Sequence, residues 1–198
     1  MEMILASFSR ARAELLRAAG YSFTQHPSGV HERPFESGED PGAYVEELAA
    51  QKTAAVAQKF PEAVVLGADT VLHVEGRVFG KPADLDDAVR MLTYLCGRTH
   101  DLVTGICVAS AGGRTSYCAH DIARITMRPH SPEAIRRHVE LAQPLPFAGA
   151  YALQQEGCVL IERMEGDPNT VIGLPLGLVA ELVERALTAG SGTRPAAS

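Results

Sequence analysis

The run Val64-Val65-Leu66-Gly67-Ala68-Asp69-Thr70, followed by a return at Gly80-Lys81-Pro82, constrains this chain more than any other stretch. A short apolar segment bounded by small residues reads as a buried strand. In open α/β sheets, ligands collect at the carboxyl ends of such strands, and Asp69 stands at that end. A carboxylate there can take a proton from water or hold a divalent metal. Lys81 can hold an anion beside it as a point charge. The same residues also suit a plain turn, because Asp and Thr close strands through local hydrogen bonds.

The rest of the chain alternates strand and helix signals, which places it in the α/β class. Met3-Ile4-Leu5-Ala6-Ser7 reads as a first strand. Ser9 can cap a helix through Arg12, Leu15 and Leu16 that stops at Gly20. Strand, polar loop and helix start together aim N–H groups at an anion, and Ser7, Ser9, Arg10 and Arg12 cluster there. Tyr21 to Thr24 reads as a second strand, and Gln25 to Asp40, which contains Glu32, as an exposed loop. Asp40-Pro41 opens a helix whose inward stripe, counted from Val45, passes through Leu48, Lys52 and Val56. A lysine on such a stripe either reaches an edge or faces an anionic partner in a cavity.

Leu72 to Phe79 reads as a hairpin turning at Glu75-Gly76. Asp84 caps a helix that ends at Gly97. Thr99 to Ala109 and Thr115 to Met127 form a second hairpin around Ala111-Gly112-Gly113. Ser131 starts another helix. Cys158 to Ile161 reads as a buried strand, Gly166 to Thr170 as a turn, and Pro175 as the start of the last helix. Residues 1–190 form one domain, with 191–198 expected as a disordered tail.

Composition sets limits on function. The chain has 198 residues, 46% of them hydrophobic, which suits one domain or two small lobes. The net charge of −6 argues against coating a nucleic acid, but leaves room for a local positive pocket. Of the 18 Lys plus Arg residues only three are lysines, Lys52, Lys59 and Lys81. GC-rich coding also produces such a bias. No run approaches the roughly 20 apolar residues of a membrane span, and the N-terminus lacks a signal-peptide pattern, so a cytoplasmic protein is expected. Cys96, Cys107, Cys118 and Cys158 show no ligand spacing and are expected reduced.

Taken together, the motifs resemble the Maf family of nucleoside triphosphate pyrophosphatases. They are Leu5-Ala6-Ser7-Phe8-Ser9 with Arg12, Glu14, Leu15 and Leu16; Leu48-Ala49 with Lys52; Gly67-Ala68-Asp69-Thr70; and Gly80-Lys81-Pro82. Gly97-Arg98-Thr99-His100, Ala148-Gly149-Ala150-Tyr151 with Gln154, and Val171-Ile172-Gly173-Leu174-Pro175-Leu176 complete the set. The resemblance implies a long, curved mixed sheet flanked by helices, with two lobes around a central cleft, similar to the inosine triphosphate pyrophosphatases. It implies cleavage of a nucleoside triphosphate between the α and β phosphates, with Mg²⁺ or Mn²⁺, by a possible homodimer. Asp69, Lys52, Lys81 and Glu32 would be catalytic, with Asp69 and Glu32 on the metal. Ser7, Ser9 and Arg12 would bind phosphate.

The resemblance also bears on the base, through Ala11, Thr70 and Gln154. Thr70 and Gln154 match the dTTP/UTP group, whereas Ala11 stands where an arginine is usual. Arg10 either substitutes for it or faces solvent. Pro144-Leu145 and the Glu162-Arg163 to Thr170 segment look more like the 7-methyl-GTP group. A neutral Gln can pair with a pyrimidine edge, so dTTP or UTP is the expected substrate. The family resemblance leaves a second class open, a nucleotide-binding regulator of septum formation with little turnover.

Overall fold

The computed structural model describes residues 2–153 and 159–191. The expected strand over 158–161, the expected tail and Gln154 therefore fall partly or wholly outside the described residues.

Seven strands among the described residues build one mixed sheet. In chain order the elements are β1 (Met3–Leu5), α1 (Arg10–Ala18), β2 (Thr24–Gln25), α2 (Pro41–Ala57), β3 (Val64–Val74) and β4 (Arg77–Phe79). There follow α3 (Leu85–Leu95), β5 (Thr99–Ser110), β6 (Thr115–Met127), α4 (Pro132–Ala142), β7 (Ile161–Glu165), α5 (Pro168–Ile172) and α6 (Leu176–Ser191). The strand order is β2-β1-β3-β5-β6-β7, with β4 also pairing β3. β1 runs parallel to β2 and β3; the remaining pairs are antiparallel. No described helix is long and apolar enough to cross a membrane.

The caps expected from sequence form. Ser9 accepts from the Arg12 N–H at 3.4 Å, Asp40 from Ala43 at 2.8 Å, and Asp84 from Asp87 at 2.7 Å. Each satisfies a helix-start N–H that has no partner within its helix.

One asymmetry positions everything else. β5 covers one edge of β3 continuously, from Val65 to His73. The other edge is covered by two short strands. β1 pairs only Val64 to Leu66, and β4 only Leu72 to Val74. The edge of β3 is therefore open over residues 67–71, the stretch that carries the Gly-Ala-Asp-Thr motif. Alternation sends Gly67, Asp69 and Val71 to one face and Ala68, Thr70 and Leu72 to the other.

Helix α2 lies against the first face. Val45 and Leu48 pack with Val71 and Val103, and Val56 packs with Val65 and Ala109. The approach is close enough to require glycine. A Cβ on Gly105 would lie 2.5 Å from the Val45 carbonyl carbon, and one on Gly67 would lie 2.2 Å from Thr53 Oγ1. On the opposite face, two apolar clusters form. Leu66 and Ala68 pack with Leu16, Leu174, Val179 and Leu182, whereas Leu72 and Val74 pack with Leu92, Leu95, Ile135 and Val139. Thr70 stands between them.

Several expectations shift. The second strand is Thr24–Gln25 rather than Tyr21 to Thr24; Tyr21 and Phe23 instead pack against the first cluster. The strand after residue 158 is Ile161–Glu165, and Val159 is exposed. Gly166 to Thr170 was expected as a turn, but Asp167 caps the short helix α5, with Pro168 at its first position. Helix α6 runs through Ser191, one residue into the expected tail. The cysteines are corrected too. Cys107 and Cys118, eleven residues apart, face each other across the β5–β6 hairpin and are joined in a disulfide. Sequence spacing alone does not reveal a cross-strand pair. Cys96 remains a free, half-buried thiol, its pKa pushed up by burial.

Near the second cluster, His100 Nε2 and Tyr151 Oη lie 2.6 Å apart, both buried. Burial pulls His100 from 6.5 down to about 4, against an opposing pull from Asp101, and pushes the Tyr151 hydroxyl up. The unfolded chain thus takes a proton near 6.5 that the folded chain refuses until about 4. The stability from this site is complete above the upper value and is lost as pH falls through the lower one.

Two measurements check this account. Gly105→Ala is expected to destabilise the fold by about 1–3 kcal/mol in urea unfolding, because backbone cannot move aside; an unchanged midpoint contradicts it. Between pH 6.5 and pH 4, the urea midpoint of the native chain is expected to fall further than that of His100→Gln. Equal falls contradict it.

Candidate active site

The inward stripe of α2 and the open stretch of β3 meet at Lys52. Its Nζ lies 2.5 Å from Asp69 Oδ1 and 2.6 Å from Glu32 Oε1. The Lys52 and Asp69 side chains are 11% and 9% exposed, whereas Glu32 is 51% exposed. The lysine thus faces anionic partners rather than reaching bulk water. One ammonium holds two carboxylates close together, an arrangement that like-charge repulsion would otherwise oppose.

A pocket of about 190 Å³ opens beside this trio. Ser7, Phe8, Arg12, Ser28, Gly29 and Lys52 line it. It brings the first loop and the loop containing Glu32 onto the same opening. Ser7 Oγ accepts from the Ser9 N–H at 3.1 Å and keeps its own proton for another acceptor. Ser9 Oγ is engaged in capping α1.

Arg12 fills the open edge of β3. Its Nη1 donates to the Ala68 carbonyl at 2.9 Å, Nε to the Gly173 carbonyl at 2.9 Å, and Nη2 to Thr70 Oγ1 at 3.0 Å. Burial pulls the guanidinium down from its ordinary value, while Asp69 and Glu32 act to raise it. Three of its five N–H donors are spent on the protein, which leaves two for a ligand.

Behind Arg12 runs a polar seam. Thr104 Oγ1 donates to the Thr170 carbonyl at 2.8 Å, and Thr170 Oγ1 bonds Asp121 Oδ2. Thr70 and Thr104 hydroxyls lie 2.9 Å apart. A hydroxyl has one proton, and that of Thr104 is taken by a carbonyl, so Thr70 must donate to Thr104. With Arg12 donating to it, Thr70 keeps only a lone pair. Any further group that meets this oxygen must bring an N–H or O–H.

The remaining expected residues are placed differently. Lys81 is exposed, two residues beyond β4, and makes no ion pair with Asp69 or Glu32 among the described residues. Arg10 faces solvent and pairs with Glu14 at 2.7 Å, so it does not replace the arginine missing at Ala11. The first-loop arginine that meets Thr70 is Arg12. Gln154 lies outside the described residues. Sequence reasoning missed Thr104 and Thr170; the signal for Thr104 is a polar residue interrupting the apolar run from Leu102 to Val108. Among the described residues, no group of three or more His, Cys, Asp or Glu side chains converges as a metal site.

Fold and site define an α/β protein whose acid–ammonium cluster lies at an open strand edge. A family model described as Maf-like protein matches residues 2–186, and the chain belongs to the Maf family. A relative from Moorella thermoacetica, named dTTP/UTP pyrophosphatase, is 42% identical over 92% of this chain and 93% of its own length. One from Pelotomaculum thermopropionicum, with the same name, is 40% identical over 93% of this chain and 96% of its own. Among solved structures, the nucleoside-triphosphatase / dITP/XTP pyrophosphatase from Mycobacterium abscessus is 14% identical, with a TM-score of 0.47 over 98% of this chain and 100% of that one.

Thr104→Val keeps the shape but leaves the Thr70 proton and the Thr170 carbonyl without partners. It is expected to cost about 1–3 kcal/mol in urea unfolding. Thr104→Ser is expected to cost clearly less. Equal losses in the two variants contradict the seam.

Proposed function

We propose that this chain hydrolyses dTTP or UTP to the nucleoside monophosphate and pyrophosphate. The observation that carries the reading is Lys52 Nζ held between Asp69 and Glu32 beside the Ser7–Arg12 pocket. The relatives named dTTP/UTP pyrophosphatase support it.

The chemistry is mostly positioning and charge stabilisation, as in other phosphoryl transfers. The substrate carries about four negative charges, which an acidic protein must offset locally. Lys52, the two spare Arg12 donors and the Ser7 hydroxyl supply that field in the pocket. Lys81, exposed beyond β4, is a further cation for the triphosphate in this reading. Asp69 accepts the proton of the attacking water through its second oxygen, since Oδ1 is engaged by Lys52. The water oxygen bonds the α-phosphorus as the bond from that phosphorus to the bridging oxygen breaks. Pyrophosphate leaves with the bridging oxygen.

Glu32 and Asp69 suit Mg²⁺ or Mn²⁺, which are commonly held by one or two carboxylates with substrate phosphates and water completing the shell. The two carboxylates already gather one cation, the Lys52 ammonium. When bound, such an ion adds Lewis-acid neutralisation of phosphate charge.

Thr70 bears on the choice between pyrimidines. An oxygen that can only accept suits the N3–H of thymine or uracil, whereas cytosine offers an acceptor at N3. Thr70 and Gln154 match the dTTP/UTP pattern and weigh against the 7-methyl-GTP alternative, although Ala11 stands where that pattern has an arginine. Gln154, a cytoplasmic location and a homodimer belong to the proposal as well.

Pyrophosphate release from a nucleotide panel with Mg²⁺ or Mn²⁺ tests the reading. UTP and dTTP are expected to exceed CTP and 7-methyl-GTP, and Asp69→Asn is expected to lower turnover ~100-fold or more with the fold intact. Absence of turnover on every nucleotide favours the regulatory reading instead.

A further inference from the structure

Glu32 poses a problem of order. It lies in the segment between β2 and α2, and residues 27–35 make no backbone–backbone hydrogen bond among the described residues. Its side chain is half exposed, yet it stands 2.6 Å from Lys52. A segment without backbone pairing holds a catalytic geometry only if its side chains tie it down.

The neighbour Arg33 provides the tie, and we propose that Arg33 is the positioning residue that sets Glu32 against Lys52. This rests on the pyrophosphatase reading for Glu32's role. All five guanidinium N–H donors of Arg33 are used. Nε reaches Glu47 Oε1 at 3.2 Å and Nη2 reaches Glu47 Oε2 at 2.7 Å. Nη1 reaches Glu39 Oε2 at 3.0 Å and the Pro34 carbonyl at 3.2 Å, and Nη2 also bonds Glu39 Oε1. The plane stacks over the Tyr44 ring at 4.8 Å, and the Tyr44 hydroxyl donates to the Arg33 carbonyl at 2.7 Å. Phe35 packs edge-on against the same ring at 5.2 Å.

Tyr44 and Glu47 belong to α2, the helix that also carries Lys52. The clamp and the lysine therefore share one rigid element, so fixing the Arg33 backbone to Tyr44 fixes the adjacent Glu32 relative to Lys52. Single exposed ion pairs are worth little. Here a planar fork engages two carboxylates bidentately and stacks on an aromatic face, a combination that lysine cannot reproduce.

The test combines kinetics with hydrogen exchange in Arg33→Ala, Arg33→Lys, Glu32→Gln and the double variant Glu32→Gln/Arg33→Ala. Arg33→Ala is expected to lower kcat/KM for UTP ~10- to 100-fold, the scale of small misplacements of a reacting group. Arg33→Lys is expected to lose nearly as much. In the Glu32→Gln background, loss of Arg33 is expected to add no more than ~2-fold, because coupled residues are not additive. Without nucleotide, exchange over residues 27–36 is expected to accelerate in Arg33→Ala while α2 stays protected. If Arg33→Ala does not fold, Glu39→Gln weakens the same fork and is read in the same way. Losses that multiply in the double variant, or unchanged exchange over 27–36, overturn the role of Arg33. A native chain that releases no pyrophosphate overturns the pyrophosphatase reading, and the role given to Arg33 with it.

Discussion

The uncovered edge of β3 between Leu66 and Leu72 is the constraint from which the rest follows. A strand in a continuous sheet buries its edge against neighbours on both sides. Here β1 is too short to reach past Leu66 and β4 covers β3 only from Leu72. Over this interval no strand covers that edge of β3, although the side chains on both faces are largely buried. Asp69 faces α2 and pairs with Lys52, Thr70 is joined through Thr104 to α5, and Lys52 and Arg12, which touch the one and the other, both line the pocket. Arg12 enters the interval and takes the Ala68 carbonyl, so the backbone there is partly satisfied by a side chain that also borders the pocket.

Helix α2 converts that opening into a site. It sits against the sheet at glycine-limited distance, which sets the height of Lys52 above Asp69. The same helix carries Tyr44 and Glu47, which hold the segment bearing Glu32. Three groups from three parts of the chain therefore refer to one rigid body. On the other face, the Thr70–Thr104–Thr170 seam separates two apolar clusters and joins β3, β5 and α5 by directed hydrogen bonds. Directed bonds orient a hydroxyl, which apolar packing cannot do.

Much of this was legible in the sequence, for identifiable reasons. The stripe Val45, Leu48, Lys52 and Val56 placed the lysine inward because helical periodicity is a local property. The caps at Ser9, Asp40 and Asp84 were readable for the same reason. Asp69 was readable as a carboxylate within an apolar run, but it lies in the middle of β3 rather than at a strand's carboxyl end, because Thr70 to Val74 continue the same strand into the β4 hairpin. What sequence could not show depends on register or on long-range contact. The Cys107–Cys118 pair requires the register of β5 on β6. The polarity of Thr70 requires knowing that Thr104 gives its proton to Thr170, 66 residues away. Arg33 looked like loop surface until its partners on α2 were placed. Lys81, read from its motif as a point charge able to hold an anion beside Asp69, lies exposed two residues beyond β4.

The most direct measurement is a crystal structure of the protein with Mg²⁺ and a UTP analogue whose α,β-bridging oxygen is replaced by nitrogen or carbon. The account requires the α-phosphate to lie at the opening over residues 67–71, beside Lys52 and Asp69, with the uracil N3–H toward Thr70. A triphosphate bound on another face of the sheet, with Lys52 still closed between Asp69 and Glu32, would contradict it.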